Sequence, residues 1–139
     1  LNKELNSYFS RSKEDIAKAI RIRKLFGGAM RQVGFLAAAG IYALNNNIER
    51  LAEDHQKAKE IGDVLASVTY VTKVETIETN IIIFYVDEKI GTDNFIHRMK
   101  TKNILLTPMG EGRIRIVTHL DYTDEMHKIL VKELKEFSK

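Results

Sequence analysis

Residues 21–44 read RIRKLFGGAMRQVGFLAAAGIYAL, and the fold turns on this stretch. Arg21, Arg23 and Lys24 stand at the end of one helix, and Gly27 and Gly28 stop it. From Met30 to Leu44 nearly every residue is apolar, with Arg31 and Gln32 at its start and Asn45, Asn46 and Asn47 behind it. The run is too short to cross a bilayer, which takes about 18 or more apolar residues. A helix that is apolar on all sides is expected to be buried all round, between two layers. A chain of 139 residues has little material to provide both, so one layer is expected to come from elsewhere. Glycine also lets the backbone turn sharply and approach a ligand. A helix N-terminus after the turn offers free N–H groups and a positive dipole end to an anion, with Lys24 and Arg31 adding full charges. Two readings stand: an anion site suited to phosphate, and a helix–helix turn carrying two solvated basic residues.

Upstream, Ser12 is placed to cap a helix, with Glu14 and Asp15 in the first turn where negative charge suits the dipole. Ile16, Ala19, Ile20, Arg23 and Phe26 follow at helical spacing. Residues 1–11 are polar and mixed and suggest no element. Downstream, residues 48–66 are amphipathic, with Ile48, Leu51, Ala52, Ala58, Ile61, Gly62 and Leu65 on the apolar face. Val68–Val74 alternates as a strand, and Asn80–Val86 is a β-branched and aromatic strand. Residues 91–102 read as a helix and Ile104–Leu106 as a short strand stopped by Pro108 and Gly110. Arg113–Thr118 reads as a further strand. Thr123 caps a last helix that turns Met126, Leu130, Leu134 and Phe137 inward. Strand, strand, helix, strand, strand, helix predicts a largely antiparallel sheet covered by helices on one face.

Charged residues make up 29% of the chain and the net charge is +3, too small an excess to imply nucleic acid. There is no cysteine, so disulfide and thiol chemistry are excluded, which fits a reducing compartment. No secretory leader is visible. The first residue is Leu1 rather than Met, which suggests a start inside a longer reading frame. The sequence holds no G-x-S-x-G elbow and no phosphate loop or dinucleotide fingerprint. The four histidines form no metal pattern. His119 alone stands out, because it follows two arginines near a turn. In Arg113-Ile114-Arg115-Ile116-Val117-Thr118-His119 the alternation puts both arginines on one face and the isoleucines on the other. An arginine beside a cleft can hold a carboxylate by a bidentate pair; an exposed sheet face with two arginines is the other reading.

Taken together, these segments resemble the threonine aldolases. In that family an Arg-Lys pair precedes a triple glycine, Met-Arg-Gln-x-Gly and an alanine-rich helix; here the stretch is Arg23 to Gly34. Arg50-Leu51-Ala52-Glu53-Asp54-His55, Thr79-Asn80 and Arg115-Ile116-Val117-Thr118-His119 with Asp121 fit as well, so the likeness runs over roughly residues 12–138. Ala29 stands where the family has its third glycine, adding a methyl group to the turn.

The resemblance implies the C-terminal part of an aspartate-aminotransferase-like enzyme of PLP fold type I, passing from α/β to α+β. Residues 1–47 would end the large cofactor-binding domain, and 48–139 would form the small domain with its lead-in helix. It implies pyridoxal 5′-phosphate as cofactor, retro-aldol cleavage of threonine or allo-threonine to glycine and acetaldehyde, and a cytoplasmic dimer or tetramer. Arg115 matches the arginine that binds the substrate carboxylate. Lys24 and Arg31 match basic residues reaching toward the cofactor of a neighbouring subunit. The Schiff-base lysine, the aspartate that pairs with the pyridine nitrogen and the stacking histidine lie upstream in the family. The chain alone is therefore expected to be inactive, with the N-terminal part of the same enzyme as partner and no nucleic acid or membrane. The alternative is a stand-alone binding or regulatory protein built from a former aldolase small domain.

Overall fold

The computed structural model describes residues 12–137, so the reading of residues 1–11 lies outside it. The chain divides into two compact units, Leu1–Asn45 and Asn46–Lys139.

The first unit holds α1 (Lys13–Leu25) and most of α2 (Gly34–Asn46). Ser12 caps α1, its hydroxyl accepting from the Asp15 amide at 3.1 Å. The helix stops at Phe26 and at Gly27, whose φ is +78°. At Gly28 the carbonyl of Arg23 accepts the backbone N–H at 2.8 Å. A Cβ there would lie 2.6 Å from the Arg23 Cγ, so any other residue would force the Arg23 side chain to move. The apolar run does form a helix, but it begins at Gly34 rather than Met30, after a turn in which Gln32 has φ 58°. No residue of α1 or α2 is buried, and Phe35 is 86% exposed, so the covering that such a helix needs is not provided by the described residues. Two helices of 13 residues each have too little surface to enclose a helix that is apolar all round.

In the second unit, α3 (Leu51–Ser67) leads into β1 (Val71–Val74) and β2 (Ile81–Val86). Then come α4 (Thr92–Thr101), β3 (Thr107–Pro108), β4 (Arg113–Val117) and α5 (Asp124–Glu136). The sheet runs β1-β2-β4-β3, every pair antiparallel. Alternation sets its inner face: Ile82, Phe84 and Val86 of β2 and Ile114 and Ile116 of β4 are buried. Ala58, Ile61 and Leu65 of α3, Phe95 and Met99 of α4, and Leu130 and Leu134 of α5 join them in one core. Rings close the α4 end, with Phe95 against Tyr70 (5.7 Å), Phe84 (5.8 Å) and Phe137 (4.7 Å). The expected small antiparallel sheet with helices on one face is thus present.

Several details differ from the sequence reading. The first strand starts at Val71, because residues 69–70 form a turn whose Tyr70 ring enters the core. Ile104–Leu106 is not a strand: Ile104 and Leu106 pack on the core from a loop, and the short strand is Thr107–Pro108 itself. Proline is tolerated there because β3 is an edge strand, where a missing N–H need not break the ladder. Ile48, Leu51 and Met126 are exposed: Ile48 lies in the turn before α3, Leu51 is the first residue of α3, and Met126 is in the first turn of α5.

Candidate active-site face

The sheet leaves its outer face open, and β4 puts Arg113, Arg115 and Val117 on it. Their neighbours on β2 are Tyr85, Ile83 and Ile81. The two arginines are not equivalent. The Arg113 guanidinium pairs with Glu111 at 3.0 Å, and its Nε donates to the Gly110 carbonyl at 3.4 Å. Arg115 makes no ion pair or hydrogen bond through its side chain among the described residues. It lines a cleft of about 530 Å³ that also takes in Leu105, His119, Tyr122 and Met126. The cleft therefore combines one uncommitted guanidinium with an apolar wall, a setting that suits a small carboxylate bearing a hydrocarbon part.

His119 is on the same side. Its Nδ1 accepts the Asp121 amide at 3.2 Å, which puts the ring hydrogen of the neutral form on Nε2. Tyr122 is half-buried, and burial pushes its phenol well above the usual range, so it stays a neutral hydrogen-bonding group. Its hydroxyl meets His127 Nδ1 at 3.3 Å, and His127 Nε2 meets Glu60 Oε2 at 2.9 Å. Hydrogen bonds from Gln56 and then from His127 hold the Glu60 carboxyl below the ordinary range. Lys57 completes the link between α3 and α5, donating to the Tyr122 carbonyl at 3.1 Å and pairing with Asp124 at 2.7 Å.

Motif residues that resembled the aldolases prove to be joined in space. The buried Asp54 carboxylate takes a bidentate pair from Arg50, both bonds 2.9 Å. The hydroxyl of the fully buried Thr118 donates to the Asp54 carbonyl at 2.7 Å. Asn80 Nδ2 donates to the Thr118 carbonyl at 2.7 Å. Sequence reasoning missed the tie from Thr118 to the Asp54 carbonyl and the contact of His127 with Glu60, because these partners lie 64 and 67 residues apart; the Arg50–Asp54 pair, at i and i+4 on one helix, is within reach of a local spacing rule.

Lys24 and Arg31 belong to the first unit and flank the same turn, Lys24 in the last turn of α1 and Arg31 just before α2. Both are exposed, and neither has an ion pair among the described residues. No group of histidine and acidic side chains able to hold a metal ion occurs among the described residues. No described helix is long and apolar enough to cross a membrane.

The family model of the beta-eliminating lyases matches residues 7–89, more than half of the chain. Curated relatives include a probable low-specificity L-threonine aldolase 2 of Arabidopsis thaliana. It is 37% identical over 116 residues, which cover 81% of this chain and 33% of the relative. The low specificity L-threonine aldolase of Escherichia coli is 39% identical over 117 residues, or 82% and 33%. The chain thus spans about a third of the length of the curated relatives it matches. Among solved structures, the cystine C-S lyase C-DES in complex with cysteine persulfide superposes with a TM-score of 0.57 at 18% identity, covering 74% of this chain and 28% of that one. An ornithine aminotransferase of Toxoplasma gondii gives 0.53 at 20%, covering 63% and 22%. These two likenesses speak to the fold, which is the one found in PLP enzymes of fold type I.

Proposed function

Because the chain belongs to the beta-eliminating lyase family, we propose that it is the C-terminal part of a PLP-dependent threonine aldolase and that Arg115 binds the substrate α-carboxylate. The observation that carries this is the contrast on β4: Arg113 is committed to Glu111, whereas Arg115 faces the cleft without a partner among the described residues. A planar guanidinium fixes a carboxylate by two parallel hydrogen bonds and would so set the direction of the remaining bonds at Cα. Two basic side chains at a glycine-permitted turn fit an anionic phosphate by charge, so Lys24 and Arg31 are assigned to the cofactor, that of a neighbouring subunit in a cytoplasmic dimer or tetramer. The cofactor, when bound, supplies the electron sink for breaking the Cα–Cβ bond of threonine.

Two experiments test this. In the intact enzyme, Arg115→Ala lowers kcat/KM by about two to four powers of ten, from the loss of charge-assisted hydrogen bonds. Arg113→Ala costs much less, and cofactor absorbance survives both changes. Equal, small losses in the two variants place the carboxylate elsewhere. Alone, the 139-residue chain neither holds the cofactor covalently nor cleaves threonine, because the anchoring lysine is assigned to the preceding part. Borohydride reduction with the cofactor, followed by mass spectrometry, gives no defined adduct; a stoichiometric adduct at a single lysine contradicts the assignment.

A further inference from the structure

We propose that Thr118 is a positioning residue, which locks the end of β4 so that Arg115 and His119 face one cleft; the inference rests on the carboxylate-binding role given to Arg115. The support of β4 is uneven. Along Ile81–Tyr85, β2 pairs with its whole length, but β3 covers only Ile114 and Arg115. Beyond Arg115 the strand has a neighbour on one side only, and a one-sided strand end frays. Thr118 stands at that end.

Three short bonds and one long one hold it. The Thr118 amide donates to the Asn80 carbonyl at 3.0 Å, Asn80 Nδ2 returns a bond to the Thr118 carbonyl at 2.7 Å, and the Thr118 hydroxyl reaches the Asp54 carbonyl at 2.7 Å, with a longer contact to the Asn80 carbonyl at 3.5 Å. The first two close the β2–β4 ladder just past the Ile81–Val117 pair. The third ties the ladder to α3 at a residue that is itself fixed by the bidentate Arg50 pair. Alternation does the rest. Ile116 and Thr118 point inward and are buried, and Arg115, Val117 and His119 alternate with them; these three line the cleft, which reaches past the edge of β4 to Ile116 and Leu130. One inward hydroxyl thus fixes the direction of the side chains on either side of it.

The test compares Thr118→Val, which keeps the shape and removes the hydroxyl, with Thr118→Ser, which restores it, and with Asn80→Ala, which removes a less buried bond. In the intact enzyme, Thr118→Val raises KM for the amino-acid substrate about tenfold while kcat stays within about threefold, because ground-state carboxylate binding is what loosens. Amide exchange at residues 115–117 accelerates about tenfold while Ile82 and Phe84 are unchanged. Thr118→Ser returns both readouts to near wild type, and Asn80→Ala shifts them in the same direction. A drop in melting temperature with unchanged KM and unchanged exchange at 115–117 overturns the proposal and leaves Thr118 merely structural. If Arg115→Ala leaves KM unaltered, the carboxylate assignment fails instead. The exchange measurement still decides the clamp: local fraying in Thr118→Val with rescue by serine supports it, and uniform exchange refutes it.

Discussion

Phe95→Ala removes the ring at the centre of the aromatic group that closes the core of the second unit. Phe95 is fully buried and stands within ring-contact distance of Tyr70, Phe84 and Phe137, with the nearest centroid at 4.7 Å. It is one of only two buried residues of α4, the other being Met99. Truncation therefore loses the transfer energy of a whole phenyl ring and leaves a cavity that three rigid neighbours cannot collapse into, a cost of about 3–5 kcal/mol. Domains are stable by only about 5–15 kcal/mol, so about a fifth or more of the stability is expected to go. Urea unfolding followed by far-ultraviolet circular dichroism measures it: the midpoint falls while the slope stays constant. Phe95→Leu, which refills most of the volume, recovers more than half of the loss. A loss below about 1 kcal/mol for Phe95→Ala, against the range expected for a filled site, would refute the packing described for α4.

Two further expectations concern charge and exposed apolar surface. Hydrogen bonds from Gln56 and His127 hold Glu60 below its ordinary pKa, those from Lys73 and Tyr85 hold Glu75 there, and that from Lys57 holds Asp124 there. A carboxyl depressed in the folded state contributes stability that is fully present above its unfolded pKa, near ~4, and is lost as pH falls through the folded value. The melting temperature is therefore expected to drop on acidification, and less steeply in the variant Glu60→Gln, Glu75→Gln, Asp124→Asn; identical slopes show that these contacts do not persist in solution. Helix α2 carries Phe35, Leu36, Ile41 and Leu44 exposed, so the 139-residue chain is expected to self-associate through this apolar surface. Sedimentation at rising concentration shows it, Leu36→Glu with Ile41→Glu weakens it, and a chain that stays monomeric throughout, with strongly protected α2 amides, contradicts it.

Local chemistry was legible wherever the cause lies within a few residues. Ser12 and Thr123 cap as their positions suggest, each accepting the amide three residues on. The alternation of β2 and β4 sorts Phe84 and Ile114 from Tyr85 and Arg113 without error. Pro108 reads as a strand stop in the sequence, yet an edge position has no inward N–H to lose. Ile104 and Leu106 misled because their alternation with Leu105 arises from a loop lying against the core, not from a ladder. The apolar run of α2 identified a helix but not its surroundings: an apolar sequence reports what a helix needs, and the covering layer is set by chain that packs from elsewhere. For the site, alternation put Arg113 and Arg115 on one face but could not rank them. The resemblance alone singled out Arg115; the structure adds that Arg113 pairs with Glu111, whose reach depends on the turn at Gly110–Gly112, where both glycines have positive φ.

The way the sheet ends bears on how the 139-residue chain associates. An open sheet margin is a template for another strand, and chains with exposed apolar surface are the ones most exposed to that hazard. Here both margins are poor templates. On one side β3 has only two residues, and one of them is Pro108, which cannot donate. On the other, the pairing of β1 with β2 slips between Val71 and Lys73, and Lys73 sets a charge on the margin. Strand-by-strand growth into fibrils is blocked at each end, so association driven by α2 should yield discrete, reversible oligomers that do not bind cross-β dyes.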